Sequence, residues 1–150
     1  MTDTLPSAHA SPLEMDVNTG KRIFQLKGFE HQWGYAQAVR VGNTIYVSGT
    51  VSIDSDGNPT ARDDMAGQVR NVYADIMASL AAHGATLSHV VREALYTTDM
   101  ERFLSLGAPV RAEIYAGHAL PASAPWIEVN RLANPAFLFE VEVIAMLPDA

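Results

Sequence analysis

The groups in this chain best suited to chemistry are carboxylates on a β-like segment. Glu140 and Glu142 stand two apart in Phe137-Leu138-Phe139-Glu140-Val141-Glu142-Val143-Ile144-Ala145-Met146, a stretch that otherwise reads as a long apolar strand. Strand side chains alternate between faces, so Phe137, Phe139, Val141, Val143 and Ala145 share one side, and Leu138, Glu140, Glu142, Ile144 and Met146 share the other. The second set is too apolar for water and too acidic for an ordinary core. A carboxyl on such a half-covered face loses hydration, and desolvation raises its pKa toward that of a useful acid or base. Glu140 reads equally as a structural acid paired with Arg131.

Other chemistry is poorly supplied. The chain has no cysteine, hence no thiolate nucleophile, thiolate metal site or disulfide framework. His31 has no second ligand at metal spacing, and His83 and His89 flank a helix end, so no metal centre is expected. Gly49, inside an apolar run, leaves room for a ligand or a neighbouring backbone, or marks a bulge.

The elements that must position these groups follow from patterning. Residues 22–26 suggest a short first strand and residues 27–34 an irregular connection. Residues 36–41 and 44–51 are β-rich and flank Gly42-Asn43, a two-residue hairpin turn in which glycine supplies positive φ. Residues 54–59 are dense in turn formers. Met65, Val69, Val72, Tyr73, Ile76, Met77 and Leu80 recur at spacings of three and four, one apolar helical stripe, with Asp63 as its cap and Gly84 at its end. Residues 90–98 read as a strand. Asp99 then caps a second helix holding Phe103, Leu104, Val110 and Ile114, in which Pro109 forces a kink or a late start. Pro121 and Pro125 frame an extended segment continuing to Val129, and the acid-bearing strand closes the chain. The class is α+β, with two helices packed on one face of a mixed sheet.

A length of 150 residues suits one domain. Residues 1–19, with Pro6, Pro12 and few large apolar groups, read as a flexible tail, and residues 20–150 as the domain. Ten Lys and Arg against 17 Asp and Glu, a formal charge of -7, oppose binding to nucleic acid. Apolar runs fall short of the ~18 residues that cross a bilayer, no secretory signal pattern opens the chain, and a cytoplasmic address with no membrane partner is expected. Two helices cover one sheet face only, so self-association is expected to bury the other.

Several segments carry a family resemblance. They are Gly34-Tyr35-Ala36-Gln37-Ala38-Val39, Val41-Gly42-Asn43-Thr44-Ile45-Tyr46-Val47-Ser48-Gly49, Gln68, Gly84 followed by Leu87-Ser88-His89-Val90-Val91, Tyr96-Thr97-Thr98-Asp99-Met100, and Glu140-Val141-Glu142 with Ala145. In order and spacing they resemble the RidA/YjgF family over residues 34–146. The resemblance implies a chorismate-mutase-like fold and a homotrimer whose sheets form an inner barrel, with small-molecule pockets between subunits. It also implies hydrolysis of reactive enamines and imines to 2-oxo acids and ammonia, with no metal or cofactor. On it, Glu140 falls on the water-positioning acid, Tyr35 on the tyrosine at the pocket lip, and Ser48 with Gly49 on the strand lining the floor. Tyr35 serves equally as a half-buried packing aromatic.

One departure bears on substrate. Where deaminases of the family carry a Pro-Ala-Arg-Ser-like segment, this chain reads Pro121-Ala122-Ser123-Ala124-Pro125-Trp126. Ala124 stands at the carboxylate-binding arginine, Trp126 where a small residue often contributes a backbone donor, and Ala108 where an asparagine is often found. A methyl group cannot replace a planar bidentate donor. Arg111 and Arg131 are candidates to supply the charge from elsewhere, and Trp126 suggests a more apolar ligand unless it fills core or interface volume. The expected substrate-binding set is thus Tyr35, Ser48, Gly49, Ala124, Trp126 and Arg131, with Glu140 catalytic. The expected function is a deaminase-like hydrolase, then a non-catalytic metabolite-binding trimer, and last a ribonuclease or translation inhibitor.

Overall fold

The computed structural model describes residues 13–149. Its order is β1 (Glu14–Met15), β2 (Arg22–Phe24), a single helical turn α1 (Phe29–Gln32), β3 (Ala38–Val41), β4 (Thr44–Thr50), α2 (Met65–Ala82), β5 (Val90–Thr97), α3 (Met100–Arg102), a π-helical segment Phe103–Gly107, α4 (Ala108–Tyr115), β6 (Ala122–Ser123), β7 (Ile127–Glu128) and β8 (Phe139–Met146). Of the expected tail, residues 1–12 lie outside the described residues, while β1 pairs antiparallel with β2.

Among the described residues the strands form one mixed sheet in the order β1-β2-β3-β4-β8-β5-β6, with β7 also on β5. Only β6 and β7 run parallel to their neighbour, β5. The expected hairpin is β3–β4, and Gly42 takes φ 56° in its two-residue loop. The segment framed by Pro121 and Pro125 is extended as expected, broken into the two short strands on β5.

The helices cover one sheet face. Val69, Val72, Tyr73, Ile76 and Leu80 of α2 pack in one buried cluster with Ile45, Val47, Leu95, Phe139, Val141 and Val143. The opposite face presents Val41, Tyr46 and Met146, which are 45%, 51% and 49% exposed, an apolar surface that the described residues leave uncovered. Among the described residues no helix is long and apolar enough to cross a membrane.

Several local expectations are corrected. Leu138 precedes β8 and is half-buried between buried Phe137 and Phe139, packed against the core cluster. Its N–H donates to Gln68 Oε1 at 2.8 Å, and its carbonyl accepts from the Thr97 hydroxyl at 2.8 Å. Met77 is 39% exposed and Leu104 51%, because each sits at the rim of its helical stripe. The cap of α2 is Asp64, whose carboxylate accepts from the Gly67 N–H at 2.9 Å. Asp63 has φ 56°, unlike the extended backbone a cap needs, and pairs instead with Arg102 at 2.9 Å. Asp99 caps the second helix as expected, accepting from the Arg102 N–H at 3.0 Å. The disturbance expected from Pro109 is the π-helical segment: proline offers no N–H to the preceding turn, and the wider winding accommodates the loss.

A polar cluster lies within the helix-side core. Glu93 of β5 is fully buried. Its Oε1 accepts from the Tyr73 hydroxyl and Arg111 Nε, both at 2.8 Å, and its Oε2 accepts from the Tyr115 hydroxyl at 2.6 Å. The Arg111 guanidinium also lies 4.6 Å from the centroid of the Tyr115 ring. Removing one partner of such a pair leaves an uncompensated charge in low dielectric. Arg111→Met is therefore expected to lower stability by about 3–5 kcal/mol, read from urea unfolding at fixed protein concentration. A loss under about 1 kcal/mol, the range of surface pairs, would show that the two tyrosines alone satisfy Glu93.

Candidate functional site

The site grows from a bulge in β4. Val47 pairs with Val143 and Thr50 with Val141, so three steps on β4 face two on β8 and one extra residue is accommodated at Ser48-Gly49. Of the readings of Gly49 from sequence the bulge is seen, and the group that comes close to it is the Glu140 side chain rather than a backbone. A Cβ at Gly49 would collide with Glu140 Oε1 and lie 3.2 Å from its carboxyl carbon. Only a residue without a side chain permits this approach.

Ser48 ties the strand to the segment bearing Tyr35. Its hydroxyl donates to the Ala36 carbonyl at 2.6 Å, and its N–H donates to the Gln37 carbonyl at 2.9 Å. The hydroxyl proton is thereby committed to the backbone. Tyr35 is held further by its N–H to the Glu30 carbonyl, 3.0 Å, and by Gln25 Nε2 donating to its own carbonyl, 3.3 Å. Buried Gln37 donates to the Thr50 hydroxyl at 3.0 Å, which donates to the Ser48 carbonyl at 2.8 Å. These bonds fix the bulge and the tyrosine relative to one another.

Tyr35, Gln37, Gly49, Thr50, Lys27 and Asp75 line a small half-open cleft of about 40 Å³ whose remaining walls are Leu26, Phe29, Val51 and Ile53. Glu140, against Gly49, has its pKa raised above the usual glutamate range, first by burial and then by the neighbouring Glu142 carboxylate. Glu142 accepts from the Tyr96 hydroxyl at 3.0 Å. The Tyr35 hydroxyl is also raised, by burial, then Glu30 and Glu140, and so remains a proton donor across the physiological range. A desolvated acid, a phenolic donor and an apolar wall form a set able to hold a small polar molecule and to move a proton.

The expected site residues fall into two groups within the chain. Tyr35, Ser48, Gly49 and Glu140 come together. Ala124 and Trp126 do not join them, because β5 intervenes: Tyr96 pairs with Glu140 on one side and with Ile127 on the other. The Ala124 N–H donates to the Glu93 carbonyl at 2.9 Å, and Trp126, 36% exposed, packs edge-on against Phe103, centroids 5.2 Å apart. Arg131 donates to the carbonyls of Leu132 and Ala133 at 3.1 and 3.4 Å and is not within ion-pairing distance of Glu140. Arg111 is engaged by Glu93. Sequence reasoning missed Lys27, Gln37 and Asp75: the first lies in an aperiodic connection, and Asp75 sits on the polar side of a helix read only for its apolar stripe. Among the described residues no group of three or more His, Asp or Glu is placed to hold a metal ion.

A two-layer α+β domain of this kind, with helices on one sheet face and a desolvated acid over a strand glycine on the other, defines a class of small single-domain proteins. The family model described as Endoribonuclease L-PSP matches residues 27–147, and the chain belongs to that family, the RidA/YjgF family. A RutC family protein of Pyrococcus abyssi is 36% identical over 123 residues, covering 82% of this chain and 94% of the relative. The crystal structure of a Mycobacterium tuberculosis member of the YjgF/YER057c/UK114 family is 34% identical, covers 79% of this chain and 92% of that one, and superposes with a TM-score of 0.66. A 2-iminobutanoate/2-iminopropanoate deaminase of Salmonella typhimurium is 25% identical over 112 residues, 75% of this chain and 86% of the relative.

Two outcomes follow from the geometry. Gly49→Ala should lower stability by about 1–3 kcal/mol through overpacking against the Glu140 carboxyl, measured by urea unfolding; a neutral result would mean that the carboxyl moves away freely. Glu140→Gln tests the raised pKa. A carboxyl whose folded-state pKa lies above its unfolded value costs stability as pH rises through that interval, and the amide escapes this cost. The Tm of Glu140→Gln minus that of the parent should therefore increase from about pH 4, near the ordinary glutamate value, to neutrality. A difference that stays flat or declines would show that Glu140 is well solvated.

Proposed function

We propose that the protein is a cofactor-free hydrolase of small imines or enamines, working as a homotrimer with its pockets between subunits. The observation that carries this reading is the Glu140 carboxyl, desolvated over Gly49 and adjoining the cleft that Tyr35 lines. In the reaction, water adds through its oxygen to the C=N carbon and gives a proton to the Glu140 carboxylate. Glu140 returns that proton to nitrogen to give the carbinolamine, the proton of the new hydroxyl then passes by way of Glu140 to nitrogen as the C–N bond breaks, and ammonia leaves a carbonyl product. The Tyr35 hydroxyl donates a hydrogen bond to the reacting end. Imine and water thus balance carbonyl and ammonia.

The trimer is supported by the apolar groups Val41, Tyr46 and Met146 on the uncovered sheet face, which self-association would bury. The deaminase name of the Salmonella relative supports the reaction class. A second reading, a trimer that binds a metabolite without turnover, is favoured by Ala124, since no arginine stands at the position that orients a substrate carboxylate in family deaminases. The ribonuclease named in the family description is disfavoured by the formal charge of -7.

The test is a panel of freshly generated imines scored for ammonia release over buffer. Glu140→Gln should lower the rate by about 10²–10⁴-fold, the usual contribution of a general acid–base group, with circular dichroism and oligomer mass unchanged. Absence of turnover across the panel selects the binding reading. A monomer at cellular concentration would sink the inter-subunit pocket in both.

A further inference from the structure

His83 lies outside the candidate site, at a position that is costly for a histidine. It follows the last residue of α2 and is 2% exposed, and neither ring nitrogen has a hydrogen-bond partner among the described residues. A buried imidazole left unpaired costs free energy when neutral and far more when charged. The ring packs edge-on against Phe24 of β2, with centroids 6.5 Å apart and planes at 80°. Phe24 is the one buried residue of β1 and β2. Docking of this edge ribbon therefore rests on contact with a titratable ring.

The surroundings oppose a proton. Arg22 of β2 and Arg40 of β3 stand directly opposite each other across the two strands, a like-charge placement that weakens a ladder, and they are the charged groups that act on the ring. Arg40 is held in place, its Nη1 donating to the His83 carbonyl at 3.3 Å and its Nε to the Gly42 carbonyl at 2.8 Å. Residues 76–82 before His83 on α2 and residues 84–88 after it carry no ionisable side chain. The carbonyl end of a helix favours a cation, but here the Ala81 carbonyl accepts the Gly84 N–H at 3.0 Å and the Leu80 carbonyl the Ala85 N–H at 2.9 Å. Burial, with the Ala38 carbonyl opposing and Arg40 and Arg22 adding, holds the His83 pKa below the usual histidine range.

We infer that His83 is a proton-operated latch for the N-terminal edge of the sheet: the neutral ring holds β2 against β3 and α2, and the protonated ring releases the β1–β2 ribbon. Release lets the charged ring reach water and the two arginines move apart, and it breaks a ladder of only three residue pairs between β2 and β3. The sign follows from linkage. The folded state favours the neutral ring, so docking is complete above about pH 6.5, the ordinary histidine value, and weakens as pH falls below it. The effect reaches the lip of the candidate site, because the Phe24 carbonyl accepts the Gln37 N–H at 3.0 Å and Gln25 Nε2 donates to the Tyr35 carbonyl at 3.3 Å.

The test is amide hydrogen exchange of the full-length protein, read on peptides spanning residues 14–26 and corrected for the intrinsic rate at each pH. Between about pH 6.5 and pH 5.5, exchange in the ribbon should rise by up to about tenfold, the limit for one linked proton, while peptides within α2 keep their protection. His83→Gln, which cannot take up the proton, should hold ribbon exchange level over the same interval. Arg22→Gln removes one opposing charge, and should move the titration of the His83 ring, followed by its Cε1–H resonance, to higher pH and shrink the rise in exchange. Ribbon exchange that is level with pH in the parent protein, or that rises equally in His83→Gln, overturns the latch. So does a His83 resonance that titrates at or above the ordinary histidine value. If His83→Gln does not fold, the ring titration of the parent and the Arg22→Gln variant decide the question.

Discussion

The register of β8 is the constraint on which the rest of this molecule depends. The strand is hydrogen-bonded on both edges, to β4 and β5, and alternates buried with more exposed residues from Phe139 to Met146. Slipping it by one residue would turn Phe139, Val141, Val143 and Ala145 out of the core and Glu140 into it. Glu140 therefore needs no dedicated scaffold: the apolar residues on either side of it lock its direction and depth. What remains adjustable is the cover over it, which the bulge at Ser48-Gly49 supplies by removing a side chain where the carboxyl must lie.

Two kinds of buried polar structure support this frame, and they do different work. Glu93 with Tyr73, Tyr115 and Arg111 joins α2, α4 and β5 across the helix layer, and its fully buried carboxylate accepts from three side chains. Such a cluster contributes less net stability than well-packed hydrophobic groups of similar volume, yet leaving it half-satisfied is costly. It ties down the only arginine of the second helix body, α4. Glu30 instead satisfies three consecutive backbone N–H groups of a loop. That arrangement gives an aperiodic segment a defined shape without a hydrophobic core, which is why a connection of such unpromising sequence can present Lys27 and Tyr35 in fixed places.

The division between what was legible in sequence and what was not follows the same line. The β3–β4 hairpin, the α2 stripe, the Asp99 cap, the disturbance at Pro109 and the alternation of β8 all express periodicity or local backbone chemistry, and each could be read from a few neighbouring residues. The shift of the α2 cap from Asp63 to Asp64 depends on which aspartate adopts φ 56°, a choice two adjacent identical residues do not announce. Of the site, Tyr35, Ser48, Gly49 and Glu140 were found through family resemblance and strand patterning. Lys27 and Asp75 were not, since their pairing joins residues 48 positions apart through tertiary structure alone.

The separation of Ala124 and Trp126 from Glu140 by β5 bears on how specificity can change in this fold. Within one chain β5 keeps Ala124 and Trp126 from Glu140, so under the proposed inter-subunit pocket a side chain at either position would act on the Glu140 of a second copy and leave the acid, the bulge and the core of its own chain undisturbed. The cleft behind Tyr35 is built from the same chain and the same loop that Glu30 clamps, and its charge is set by a pair on the helix flank. The acid thus rests on a strand whose register the core enforces, and the charge of the cleft on the mostly buried Lys27–Asp75 pair.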